Sequence, residues 1–162
     1  MLTDSERQQA IEAIREAHRT KKQATQPSVM FPHITIDDAY AISSALADDK
    51  VKQGSTIVGH KIGLTSKAMQ ASSQIDEPDY GYIFSDQVMS DGAKVRFEDF
   101  CVPRVEPELT FILDKPLKGP GVGLVDVLRA TEYVVPSIEI IDARVQNPRK
   151  IFDTVSDSGA GA

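Results

Sequence analysis

The stretch RVEPELTFIL, residues 104–113, places two carboxylates in a run that otherwise reads as a buried strand. Alternate side chains of a strand share a face, so Glu106, Glu108 and Thr110 point one way and Val105, Leu109 and Phe111 the other. Two carboxylates side by side on a sheet face repel each other, and burying either without a partner is costly. A third carboxylate, Glu139, is the only charge inside SIEII, where Ser137, Glu139 and Ile141 share a face. If the two strands are neighbours, three carboxylates converge. Oxygen-only ligands suit a hard cation, Mg²⁺, Mn²⁺ or Ca²⁺, and leave coordination positions for water and substrate. The plainer alternative is a solvated sheet face with salt bridges to Arg104 or Arg144.

Two further residues can do chemistry. Lys61 lies in GHKIG, an apolar, glycine-flanked run in which a lysine can hold a substrate carboxylate or move a proton. Glycine in a strand often marks a close approach of backbone or ligand. Asp79, in EPDYG, reads as a turn residue by default and gains interest only as a carboxylate beside Lys61. His60 faces away from Lys61 in a regular strand. His18 and His33 fall in helical and connecting segments and receive no chemistry, and Cys101 reads as a packed thiol. GPGVG lacks the third glycine and the preceding strand of a dinucleotide fingerprint.

The elements that must position these groups follow an α+β order. Thr3 to Glu6 is a capping box opening a helix expected to bury Ile11, Ile14 and His18 on one side. Lys21 to Pro32 reads as a connector. Thr35 to Asp38 opens a second helix, with Ile36, Ala39, Tyr40, Ser43 and Ala47 inward and Gly54 closing it. Residues 1–55 thus form a helical N-terminal region, and 56–162 hold the strands. TIVGHKIG, GYIFSDQVM and AKVRF read as strands, LTSKAMQASS as a short helix capped by Thr65 or Ser66, and EPDYG as a turn. After the opening stretch, KPLKGPGVG reads as a loop, LVDVLRATEYV as a helix, VPSIEIIDARV as a strand and SDSGAGA as a loop. The late strands have few partners within the chain, which suggests truncation.

Length and composition bound the rest. The 162 residues, 41% hydrophobic and 26% charged, describe a folded chain of one-domain size. A net charge of −6 argues against nucleic-acid binding. The sequence has no run of membrane-span length, and its polar, acidic N-terminus is no signal peptide. A single cysteine fits a reducing compartment, so a cytoplasmic location is expected.

Together, GHKIGLTSKAMQ, EPDYG, PRVEPEL, PSIEIIDAR and RKIFDTVSD resemble the hydratase/decarboxylase branch of the fumarylacetoacetate hydrolase superfamily, from about Ile34 to the end. The resemblance implies a mixed β-roll that this chain contains only in part. It implies that Glu106, Glu108 and Glu139 bind a divalent metal, Mg²⁺ or else Mn²⁺, and that Lys61 and Asp79 are catalytic. It also implies a small-molecule 2-oxo dicarboxylate substrate and a homo-oligomer. KAMQASSQIDEPDYG is closer to one hydratase of this branch than to its sister 2-oxopent-4-enoate hydratases or 4-oxalocrotonate decarboxylases. The chain departs from the family at SDSGAGA, where Ser158 stands for an asparagine, and RVQNPR is a shorter link than in relatives.

Overall fold

The computed structural model describes residues 1–73, 75 and 77–161, Ser72 and Ser73 by backbone alone. Gln74 and Asp76 of the KAMQASSQIDEPDYG block, and Ala162 of the tail, lie outside the described residues. The chain groups into two compact units, Met1–Arg104 with Ile141–Ala162, and Val105–Ile140.

In the first unit, α1 (Asp4–Thr20) starts at the expected capping box: Thr3 Oγ1 accepts the Glu6 N–H at 3.3 Å and the Glu6 carboxylate accepts the Thr3 N–H at 2.8 Å. Its inner face is Ala10, Ile11, Ile14 and Ala17, while His18 keeps an exposed edge. The connector contains a single helical turn, α2 (Pro27–Met30), with proline in the first turn, where its missing N–H costs no hydrogen bond. α3 (Ile36–Lys52) opens at the second capping box and buries Asp38, Ala39, Ile42, Ser43 and Ala47. Leu2, Ala10, Ile11, Ile14, Ile34, Ile42 and Val145 form the core between these helices. β1 (Ile57–Gly63) pairs antiparallel with β2 (Asp79–Phe84), placing Lys61 opposite Gly81 and Gly63 opposite Asp79. α4 (Lys67–Ser73) lies between them in sequence, and Ser66 Oγ caps it by accepting the Met69 N–H at 3.1 Å. The aromatic face of this hairpin meets α3, where Tyr40 stacks on Tyr80 at 4.6 Å and Ser44 bonds the Tyr82 hydroxyl at 3.0 Å.

The second unit contains most of β3 (Pro103–Leu113) and β4 (Thr131–Asp142), which pair as a two-stranded sheet, together with α5 (Leu124–Ala130). RVEPELTFIL is therefore a strand, but not a buried one: Val105 is 71% exposed and Leu109 65%. Two strands and a two-turn helix supply too few apolar layers to cover both sheet faces. The helix expected over LVDVLRATEYV ends at Ala130, because Thr131, Tyr133, Val134 and Val135 are β-branched or aromatic and continue into β4. AKVRF forms no strand; its surroundings make only local turn bonds such as Ala93 N–H to the Ser90 carbonyl. After β4 the chain returns to the first unit and forms α6 (Ile151–Ser156) against α3.

Buried aspartates tie these segments together. Asp38 accepts the backbone N–H groups of Leu2 at 3.0 Å and Thr35 at 3.1 Å, and pairs with Arg7 at 3.3 Å. Burial pushes its carboxyl up, but the hydrogen bonds from Thr35, Leu2 and Arg7 outweigh that and hold it at about 2. A depressed folded-state value stabilises the fold above the unfolded value and loses that stabilisation as pH falls through the folded one. Asp38→Ala should therefore lower unfolding free energy by about 2 kcal/mol at neutral pH. In denaturant titrations the difference should shrink between about pH 4 and pH 2; a gap constant over that range would contradict the assignment.

Candidate functional site

The carboxylates of β3 and β4 do converge. Thr110 Oγ1 lies 2.7 Å from Ser137 Oγ, which sets the even-numbered face of β3 against the odd-numbered face of β4. On that shared face, Glu106, Glu108 and Glu139 each bring a carboxylate oxygen within 4.8 Å of the others. Glu106 and Glu108 are exposed and Glu139 half-buried. Like charges at such a distance repel by about 1 kcal/mol per pair in water, and by more where solvent is thinned. Three hard oxygen donors with an open side match what Mg²⁺ takes from protein, with the remaining positions left to water or substrate. The donor set thus fits a divalent cation. Arg144, one candidate for neutralising the pair, instead bonds Asp157 at 2.6 Å.

Lys61 and Asp79 lie on one face of the β1–β2 hairpin, opposite the aromatic one. Asp79 is not a turn residue: it is the first residue of β2, paired with Gly63, because β2 starts two residues earlier than EPDYG suggests. Its side chain is nearly sealed, at 3% exposure, and Oδ1 has no hydrogen-bond partner. Burial pushes this carboxyl up, against the opposing pull of the Lys61 charge and a Gly63 backbone bond. A buried carboxyl oxygen with nothing to bond is suited to carrying a proton. Lys61 Nζ donates to the Gly159 carbonyl at 2.9 Å.

The glycines explain how two charged side chains fit here. A Cβ at Gly63 would stand 2.2 Å from Asp79 Oδ1, and one at Gly81 would stand 2.1 Å from the Ser158 carbonyl oxygen. Gly59, the other glycine of the strand, meets nothing nearer than Ile83 at 3.8 Å. The glycines of GHKIG stand out in the sequence, but Gly81 and the segment that meets it, residues 158–160, do not. Ser158, Gly159 and Ala160 all have left-handed φ, at 54°, 66° and 58°. Left-handed backbone costs about 1 kcal/mol or more at each residue carrying a Cβ. The only signal in the sequence was the glycine of SDSGAG.

Other expectations hold more simply. His60 packs edge-on between Tyr80 and Tyr82, away from Lys61. The Cys101 thiol points at the Ala17 carbonyl, 3.5 Å away, and burial pushes its pKa up, which leaves it a packing group. No described helix is long and apolar enough to cross a membrane.

Comparison with known proteins agrees with this picture. No family model matches the chain. It is 50% identical to the 2-oxo-hept-4-ene-1,7-dioate hydratase of Escherichia coli over 154 residues, 91% of this chain and 58% of that protein. A 2-hydroxypent-2,4-dienoate hydratase of Pseudomonas putida is 41% identical over 78% of the chain. Its fold matches that of 4-oxalocrotonate decarboxylase from Pseudomonas putida G7, solved with magnesium and adipate, with a TM-score of 0.93 at 31% identity. That match covers 99% of this chain and 62% of the decarboxylase. The chain therefore has a mixed α+β fold of this kind and spans about 60% of the length of its relatives.

Substituting the hairpin glycines tests the close contacts. Gly81→Ala, whose Cβ meets backbone, should destabilise by about 1–3 kcal/mol, against little change for Gly59→Ala. Thermal melts of the two variants check this, and equal melts would contradict the packing described.

Proposed function

We propose that this chain belongs to the hydratase/decarboxylase branch of the fumarylacetoacetate hydrolase superfamily and carries the metal-binding and proton-transfer residues of a 2-oxo-hept-4-ene-1,7-dioate hydratase, a reading its similarity to such proteins supports. The observation that carries the reading is the convergence of Glu106, Glu108 and Glu139 within 4.8 Å. These three residues would hold Mg²⁺. A cation bound there supplies Lewis-acid polarisation to the 2-oxo and neighbouring carboxylate oxygens of the substrate.

Lys61 and Asp79 are assigned the proton transfers. From the 2-hydroxy-diene tautomer, a proton leaves the 2-hydroxyl and one is delivered to C5, which gives an enone conjugated to the 2-oxo group. Water then forms its C–O bond at C4, one of its protons is removed, and C3 gains a proton. The product is 4-hydroxy-2-oxoheptanedioate, and atoms balance as the addition of one water. Asp79 can hold the travelling proton, since burial favours its neutral form. Lys61, fixed at Gly159, brings a positive charge to the same hairpin face. The reaction is a step of aromatic-compound (homoprotocatechuate) catabolism. A sister decarboxylation is the second reading, supported by the fold match to 4-oxalocrotonate decarboxylase.

Substitutions separate the two sets of residues. Glu106→Gln should weaken Mg²⁺ binding at least about tenfold by calorimetry. Lys61→Ala should leave Mg²⁺ affinity within about twofold while turnover of the dienol falls about 100-fold. Full activity in either variant would count against the reading.

A further inference from the structure

The left-handed segment at residues 158–160 needs an explanation, since two of its residues carry a Cβ. Several supports hold it among the described residues. Arg144 Nη2 donates to the Asp157 carbonyl at 3.1 Å and to the Gly161 carbonyl at 2.6 Å, and so bridges the two ends of the turn. The Arg144 side chain is itself fixed by Asp157, which accepts Nε–H at 2.6 Å and the Arg144 backbone N–H at 3.0 Å. In the middle of the turn, Ser158 Oγ accepts the Tyr82 N–H at 3.1 Å, which binds the turn to β2. At the apex the Gly159 carbonyl accepts from Lys61 Nζ, and a Cβ on Gly159 would meet Lys61 Cδ and Cε at 3.4 Å and Nζ at 3.5 Å. The Gly81 contact closes the other side, with the Ser158 carbonyl in the space that a side chain would take.

We infer that Arg144 is a positioning residue for Lys61: bound to both ends of the turn, it keeps residues 158–160 left-handed, so that the Gly159 carbonyl fixes the Lys61 ammonium on the Asp79 side of the hairpin. Without the bridge the Cβ-bearing residues relax toward ordinary backbone, and the Gly159 carbonyl turns away. The functional weight of this device rests on the reading of Lys61 as a proton carrier. The geometry can be tested without that reading.

Removing Arg144 alone would strand a buried carboxylate, so the first variant is the pair Arg144→Gln with Asp157→Asn, which keeps the site uncharged. The second is Gly159→Ala, which opposes the left-handed φ and crowds Lys61 while leaving Arg144 in place. The readout is the ¹H–¹⁵N signal of the Lys61 ammonium in ¹⁵N-lysine-labelled protein, assigned by Lys61→Arg and recorded with no substrate. Expected is a slowly exchanging Lys61 signal in the parent that shifts and exchanges rapidly in both variants, while the amides of α1 and α3 stay protected. With substrate, kcat of the folded variants should fall about 100-fold with KM nearly unchanged. A Lys61 signal with unchanged shift and exchange in the folded variants would overturn the inference, since a purely structural role for Arg144 would leave it unmoved. If Lys61→Ala retained full turnover, the functional reading would fail while the ammonium signal would still decide the positioning role.

Discussion

The first unit depends on a buried ion pair. Arg144 and Asp157 are 4% and 0% exposed at their side chains, and neither charge is tolerable there alone. Each is therefore surrounded by bonds: Asp157 by the Nε–H and backbone N–H of Arg144, and the guanidinium by two carbonyls as well. The pair fixes the end of β4 to the segment after α6. Other aspartates work in the same way. Asp142 takes the N–H groups of Cys101 and Val102, and Asp153 takes the N–H and hydroxyl of Ser28 together with the Lys150 N–H. Asp153 joins segments 125 residues apart in sequence and Asp142 segments 41 apart, each doing with one carboxylate what a cap does for a helix.

The second unit is governed by charge repulsion instead. Three glutamates share one face of a two-stranded sheet with a threonine and a serine, and the strand pleat leaves them no other direction. A divalent cation bound there would turn that repulsion into attraction, the role proposed for the E-x-E pair.

Legibility followed the range of the forces involved. Both capping boxes, part of the inner faces of α1 and α3 (Ile11, Ile14, Ala39, Ser43 and Ala47, but not His18 or Ile42), and the sharing of a face by Glu106, Glu108 and Glu139 could be read because each depends on residues a few positions apart or on strict alternation. Asp79 was misplaced into a turn because its strand state comes from pairing with Gly63, sixteen positions earlier, and Glu-Pro just before it mimics a turn. The AKVRF strand failed because apolar alternation supplies no partner. Arg144 was read as a candidate for the glutamates, whereas its partner is a later aspartate. The left-handed turn at Ser158 was invisible, since it is held by the Tyr82 backbone N–H of β2, by Lys61 of β1 and by Arg144 just beyond β4. Fold class was legible, and the contacts that hold Lys61 were not.

Metal-dependent hydration of a conjugated 2-oxo acid is the proposed activity. The most direct measurement is the ultraviolet loss of 2-hydroxyhepta-2,4-diene-1,7-dioate on addition of the protein with Mg²⁺, repeated with EDTA, with product mass recorded. Mg²⁺-dependent loss of the diene with a gain of one water is expected of the proposed activity. Loss of carbon dioxide, loss of the diene that EDTA does not affect, or no reaction by the folded protein would contradict it.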